Sequence, residues 1–120
     1  MPSDADFLGL IEGDLPGRYR FRVTDHLTRL DGRLYGGTAI AVSVAAAELV
    51  SDRSALWMTT QFVSTVEEGA EVDVLAEVLA AGKRTNQVRV TATAEDGEVI
   101  FASLGATGRP RPGGELDGVF

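Results

Sequence analysis

The chain has 120 residues, 44% of them apolar, with a formal charge of −7 and no cysteine. That length suits one domain with a core of its own, and the missing cysteines exclude disulfides, zinc–thiolate centres and thiol nucleophiles. The eleven basic residues form no dense cluster in an acidic chain, which sets nucleic acid aside, and no apolar run approaches a membrane span.

The N-terminus, Met1-Pro2-Ser3-Asp4-Ala5-Asp6, is acidic where a secretory signal would be basic. This suits a cytoplasmic protein. Residues 1–17 read as an N-terminal extension. Phe7-Leu8-Gly9-Leu10-Ile11 packs as a short helical turn or an extended segment, and Asp14-Leu15-Pro16-Gly17 is a turn. Arg18 to Val23 alternates strictly, with three arginines on one face and Tyr19, Phe21 and Val23 on the other. That is the pattern of a half-exposed strand. Asp25 to Arg33 is polar connecting chain.

Gly32-Arg33-Leu34-Tyr35-Gly36-Gly37-Thr38 then opens a run from Ala39 to Val50 that is apolar on nearly every side. A helix without a polar stripe is expected to be wrapped by other elements. Alanine is the best helix former, and small side chains let other backbone come close. Two glycines at its head clear the first turn of side chains. The unpaired N–H groups and the positive end of the helix dipole are then open to a ligand. Ser51 to Ser54 ends the helix.

Four strands are expected beyond it: Leu56–Val63, Glu71–Leu79, Arg84–Ala94 and Val99–Ala106. Their connections are short and turn-like, and Glu95-Asp96-Gly97-Glu98 carries the Asp-Gly of a hairpin. Such turns predict an antiparallel meander for these four strands. After Gly108 the Pro/Gly-rich stretch over 109–120 reads as a flexible tail. The fold class expected is α+β: residues 18–108 form a sheet of about five antiparallel strands wrapped around one long buried helix.

At these residues the chain resembles the hotdog fold, whose helix entry is a Gly-x-Leu-x-Gly-Gly pattern like that of Gly32 to Gly37. It looks most like the N-terminal hotdog unit of type II acyl-CoA thioesterases. Arg33 to Thr38 matches that family's helix entry, Thr60 to Thr65 a following strand, Ala81 to Val90 a glycine-led strand, and Glu95 to Phe101 the next hairpin. The resemblance covers roughly residues 18–107. It implies an acyl-CoA thioester as substrate and no metal or further cofactor. Because the family pairs two hotdog units, it also implies a homodimer or tetramer with the ligand groove at the interface.

Thioester hydrolysis needs a polarised carbonyl, an activated water and a seat for coenzyme A. Backbone N–H groups of Gly36, Gly37 and Thr38 are candidates for the first, each donor being worth about 3–4 kcal/mol in well-studied cases. Alternatively, the glycines only let the helix pack tightly. Tyr35 and Gly36 would border the substrate. For the second need, related hotdog enzymes carry an acid about two turns into the helix, yet residues 39–47 hold none. Ser43 has no evident base and is expected to bond the carbonyl one turn back. Glu48 stands at the wrong end of the helix.

The type II triad of Asp, Ser or Thr, and Gln does not map onto this unit. The remaining bases are Asp31, near where many hotdog enzymes hold a water-binding Asn or Asp, and His26, the one group titrating near neutral pH. Turn and surface roles are their rivals. Lys83, Arg84 and Thr85 are candidates for the nucleotide seat, or simply a solvated hairpin. Trp57 and Met58 are expected in core or dimer packing. Hydrolysis would set Asp31 or His26 of one subunit against Thr59 or Gln61 of the other. The competing reading is a binding module without chemistry; a dehydratase, needing a His beside a helix-borne acid, ranks last.

Overall fold

The computed structural model describes residues 8–24, 27 and 36–108. The strands are β1 (Ile11–Glu12), β2 (Arg18–Arg22), β3 (Ser54–Phe62), β4 (Glu71–Ala81), β5 (Thr85–Thr93) and β6 (Val99–Gly108), with one helix, α1 (Gly36–Ser51). They form a single antiparallel sheet in the order β1-β2-β4-β5-β6-β3, with α1 packed on one face. This is the expected hotdog arrangement, with one strand more than the count read from the sequence. The addition, β1, pairs Ile11 with Arg20 and Glu12 with Tyr19. Part of the N-terminal extension therefore joins the sheet.

Alternation decides which side of each strand is buried. Tyr19 and Phe21 face the helix while Arg18, Arg20 and Arg22 stay exposed, as the pattern requires. Val72, Val74, Val88, Val90 and Phe101 complete the inner layer, each at most 2% exposed, against Ala39, Val42 and Ala46 of α1. The alanines keep the helix thin enough for the valines to reach it. On the outer face the charges pair across strands: Arg20 with Asp73 at 2.9 Å, Arg22 with Glu71 at 2.8 Å and Arg89 with Glu77 at 2.9 Å.

One expectation fails, and the sheet wraps the helix on one side. Strands β4, β5 and β6 do form a meander, but β3 does not pair with β4. It lies beyond β6, paired from Ser54↔Gly108 to Phe62↔Phe101 with a register shift between Ala55 and Trp57. The 63–70 connection crosses the sheet and is tied to the end of β2, where Gly69 N donates to Val23 O at 2.7 Å and Val23 N to Ala70 O at 2.9 Å. A tight turn fixes where the chain reverses, not which strand it then meets. Partner choice was made by fit. Gly105 lacks a Cβ where one would collide with the carbonyl of Trp57 and come within 2.8 Å of Met58 Sδ.

Among the described residues, the elements packed on α1 leave one flank of it open. Thr38, Ala39, Val42, Ser43, Ala45, Ala46 and Ala47 are buried, whereas Ile40 is 44% exposed and Leu49 50%. One sheet curls around one side of a helix only. The helix ends at Asp52, in the left-handed region at φ 55°, whose N–H donates to Glu48 O at 2.8 Å. Aspartate tolerates that conformation better than most residues.

Candidate functional site: the helix mouth and the β3 edge

Gly36 and Gly37 begin α1, and Gly37 is exposed. The ring of Phe62, the last residue of β3, lies 3.6 Å from where a Cβ on Gly36 would stand. No acid occupies the first helical turn, so the dipole there is not neutralised from within the helix. Thr38 turns inward: it is 8% exposed, and its Oγ1 donates to Leu27 O at 3.2 Å. Only its backbone N–H is left to face a ligand, while its side chain ties the helix to the preceding connection. His26, Asp31 and Tyr35 lie outside the described residues.

Thr59 and Gln61 are placed on the far side of the sheet. Thr59 pairs with Leu104, which is 52% exposed, while its neighbour Thr60 points to the helix. Alternation forbids Thr59 and Gln61 from sharing the helix side with Thr60. The residues that line that side of β3 are Met58, Thr60 and Phe62. There, Thr60 Oγ1 lies 2.8 Å from Ser103 Oγ, which lies 2.7 Å from Ser43 Oγ. Ser43 therefore bonds across to β6 and not back to a helical carbonyl, as Ser51 does to Ala47 O at 2.7 Å. Sequence reasoning passed over Thr60 and Ser103. The signal was available, since Thr60 shares strand parity with Met58 and Phe62.

Lys83, Arg84 and Thr85 are exposed on the β4–β5 hairpin, at the opposite end of α1. Arg53, just past the helix C-terminus, donates to Lys83 O at 3.3 Å and Gly82 O at 3.2 Å. A helix of 16 residues is about 24 Å long, so one chain does not bring these cations to its own Gly36. Glu48 is committed as well, its Oε2 accepting the Ala55 N–H at 2.7 Å. Trp57 is 43% exposed on the outer face, and Met58 is half-buried against the core.

A hollow of about 1050 Å³ lies on the outer face, between the Ile11–Leu15 segment and strands β2, β4 and β5. Its Arg20, Asp73, Glu77 and Arg89 are spent on one another, and the sheet separates it from the helix mouth. Among the described residues no group of three or more His, Cys, Asp or Glu is placed to hold a metal, and no helix is long and apolar enough to cross a membrane.

The chain is similar in fold to a Thermus thermophilus protein, TT0310, at 25% identity, covering 91% of this chain and 99% of that one with a TM-score of 0.79. A candidate thioesterase from Novosphingobium aromaticivorans matches at 28% identity over 83% of this chain and 40% of its own, with a TM-score of 0.77. A hypothetical thioesterase protein from Streptococcus pneumoniae, solved with coenzyme A, is 16% identical and shares the fold over 88% of this chain and 94% of its own, TM-score 0.77. No curated protein matches the chain. The family model for the acyl-CoA thioesterase N-terminal domain matches residues 23–108, from the end of β2 through β6, and the chain belongs to that family.

Proposed function

We propose that this chain binds an acyl-CoA thioester in the cleft between the start of α1 and the β3 edge, closed by a second copy of itself, and hydrolyses it. The observation that carries the reading is the open flank of the helix. The ring of Phe62, itself 54% exposed, stands beside Gly36, and Ile40, one turn further along α1, is 44% exposed; in this reading these apolar surfaces form a trough that leads away from the helix's positive end. Family membership supports it, as does the coenzyme A held by a fold neighbour. The subclass proposed is the type II N-terminal unit.

In this reading the thioester carbonyl oxygen accepts hydrogen bonds from the N–H groups of Gly37 and Thr38, which draws electron density from the carbonyl carbon. Water held by Asp31 or His26 attacks that carbon and passes a proton to that base; the C–S bond breaks, the proton goes on to the sulfur, and coenzyme A leaves as the thiol with the free acid as the other product. Lys83 and Arg84 meet the nucleotide only from the partner copy, given the length of α1. Strand β3 is a sheet edge, and its Trp57 and Phe62 and the following Val63 are all more than 40% exposed, which favours sheet-to-sheet pairing there. Light scattering should give the mass of two chains or more.

A second reading has a specific observation behind it. From Gly36 to Ala47 there is no carboxylate, and Glu48 is already bonded to Ala55 N. The cleft would then hold an acyl thioester without cleaving it. A panel of acyl-CoAs from short to long chains, assayed for free thiol and for binding, separates the two. Thiol release lost in Asp31→Ala or His26→Ala supports the hydrolase. Saturable binding with no thiol at any chain length selects the module.

A further inference from the structure

Three hydroxyls on three elements form one line: Ser43 of α1, Ser103 of β6 and Thr60 of β3. Ser43 is 0% exposed and Ser103 1%, while Thr60 is half-buried at the open edge of the sheet. Each hydroxyl has one proton to donate. Among the described residues the Ser43 hydroxyl bonds only to Ser103, and the Ser103 hydroxyl only to Ser43 and Thr60.

This fixes the direction of the chain. If Ser103 donated to Ser43, the Ser43 proton would be stranded in the core, at the full cost of an unmet buried donor. If Ser43 donates to Ser103 and Ser103 to Thr60, every buried proton is used. One is left over, on Thr60, the member that solvent or a ligand can reach. The line is therefore polarised outward, and each bond strengthens the next as a donor.

Helix and strand periodicity put the leftover proton on the same side as the trough proposed above. A Cβ on Gly36 would lie 3.6 Å from the Phe62 ring, and Ile40 and Ser43, four and seven residues on, fall on that same flank of α1 by helix periodicity. Thr60 is two residues deeper than Phe62 on the same side of β3, about 7 Å along the strand. A thioester whose carbonyl sits at the helix start would have its acyl chain, not its carbonyl, at Thr60. A donor that an acyl chain covers is unmatched by plain methylenes and matched by an oxygen.

We infer that Thr60, fed by Ser103 and Ser43, is a specificity-determining donor that selects acyl groups carrying an oxo oxygen along the chain over saturated ones. The inference rests on the cleft assignment of the proposed function. An oxo group only accepts, which is what this arrangement calls for. No bond is made or broken at this residue.

The test measures dissociation constants of the full chain for an unsubstituted acyl-CoA and for a series of the same length with the oxo group moved stepwise along it. One position should bind about fivefold to tenfold more tightly than the saturated ligand, the worth of one hydrogen bond. Thr60→Val should bring that ratio to about one, and Thr60→Ser should keep it, with melting curves showing both variants folded. Equal wild-type affinity for every member, or a preference untouched in Thr60→Val, overturns the inference while leaving the cleft in place. So does a parallel loss for both ligand types. Failure of the wild-type chain to bind any acyl-CoA overturns the proposed function itself, and this inference with it.

Discussion

The ring of Phe62 stands 3.6 Å from the point where a Cβ on Gly36 would lie. The tip of the edge strand thus lies beside the first residue of the helix. A methyl at Gly36 meets only ordinary van der Waals contact there, so Gly36→Ala should fold, and alanine at a helical position should add up to about 1 kcal/mol of stability. The same methyl crowds the helix's first N–H groups, and acyl-CoA affinity should fall. Gain of melting temperature with loss of binding is the expected pair. Loss of both would mean that the glycine serves packing alone.

Ser103 is the shared partner of two other hydroxyls, so its removal should cost more than its size suggests. Ser103→Ala leaves the fully buried Ser43 hydroxyl without an acceptor, a penalty of about 1–3 kcal/mol. The double change Ser43→Ala with Ser103→Ala should recover part of that. Urea denaturation of the four proteins gives the coupling, expected to exceed about 0.5 kcal/mol. Additive losses would show that the two serines do not act together.

Gly105 is needed for close approach and not for any unusual backbone angle. Its missing Cβ leaves room for the Trp57 carbonyl, and Met58 Sδ would lie 2.8 Å from that carbon. Gly105→Ala should therefore push β3 from β6 and destabilise by about 1–3 kcal/mol. Hydrogen exchange should rise first along β3. An unchanged melting temperature would contradict the pairing of Met58 with Gly105 across β3 and β6.

Tyr19 supplies a pH dependence with a definite sign. Burial above all, and then the nearby Glu12 carboxylate, raise its phenol above the usual 10.0. The folded chain holds that proton more tightly than the unfolded one, so the contribution is fully present below the unfolded value. It is lost as pH climbs from there through the folded value. Tyr19→Phe should flatten this part of the alkaline decline in stability, measured as melting temperature from neutral pH upward. An identical decline in both proteins would mean that Tyr19 is solvated.

How far the sequence reached can be seen strand by strand. Alternation placed Arg18, Arg20 and Arg22 outside and Tyr19 and Phe21 inside, because a strand's two faces are fixed by a period of two. The alanine-rich run with Gly-Gly before it gave the helix and its mouth. For β3 the same rule of two had no anchor for its phase, so it left open which of Thr59, Thr60 and Gln61 face the helix. Only the contact of Thr60 with Ser103 settles which parity faces in.

Local chemistry is written in the chain: which stretches are helix or strand, where they turn, and which faces are greasy are all consequences of neighbouring residues. Three things were not. The pairing of β3 with β6, the 16-residue helix that parts Lys83 and Arg84 from Gly36, and the hydroxyl line from Ser43 to Thr60 each join residues distant in sequence. Turn propensity and periodicity carry no information about such neighbours. Those are chosen by shape, as at Gly105 against Met58, and by the cost of leaving a buried donor unmet.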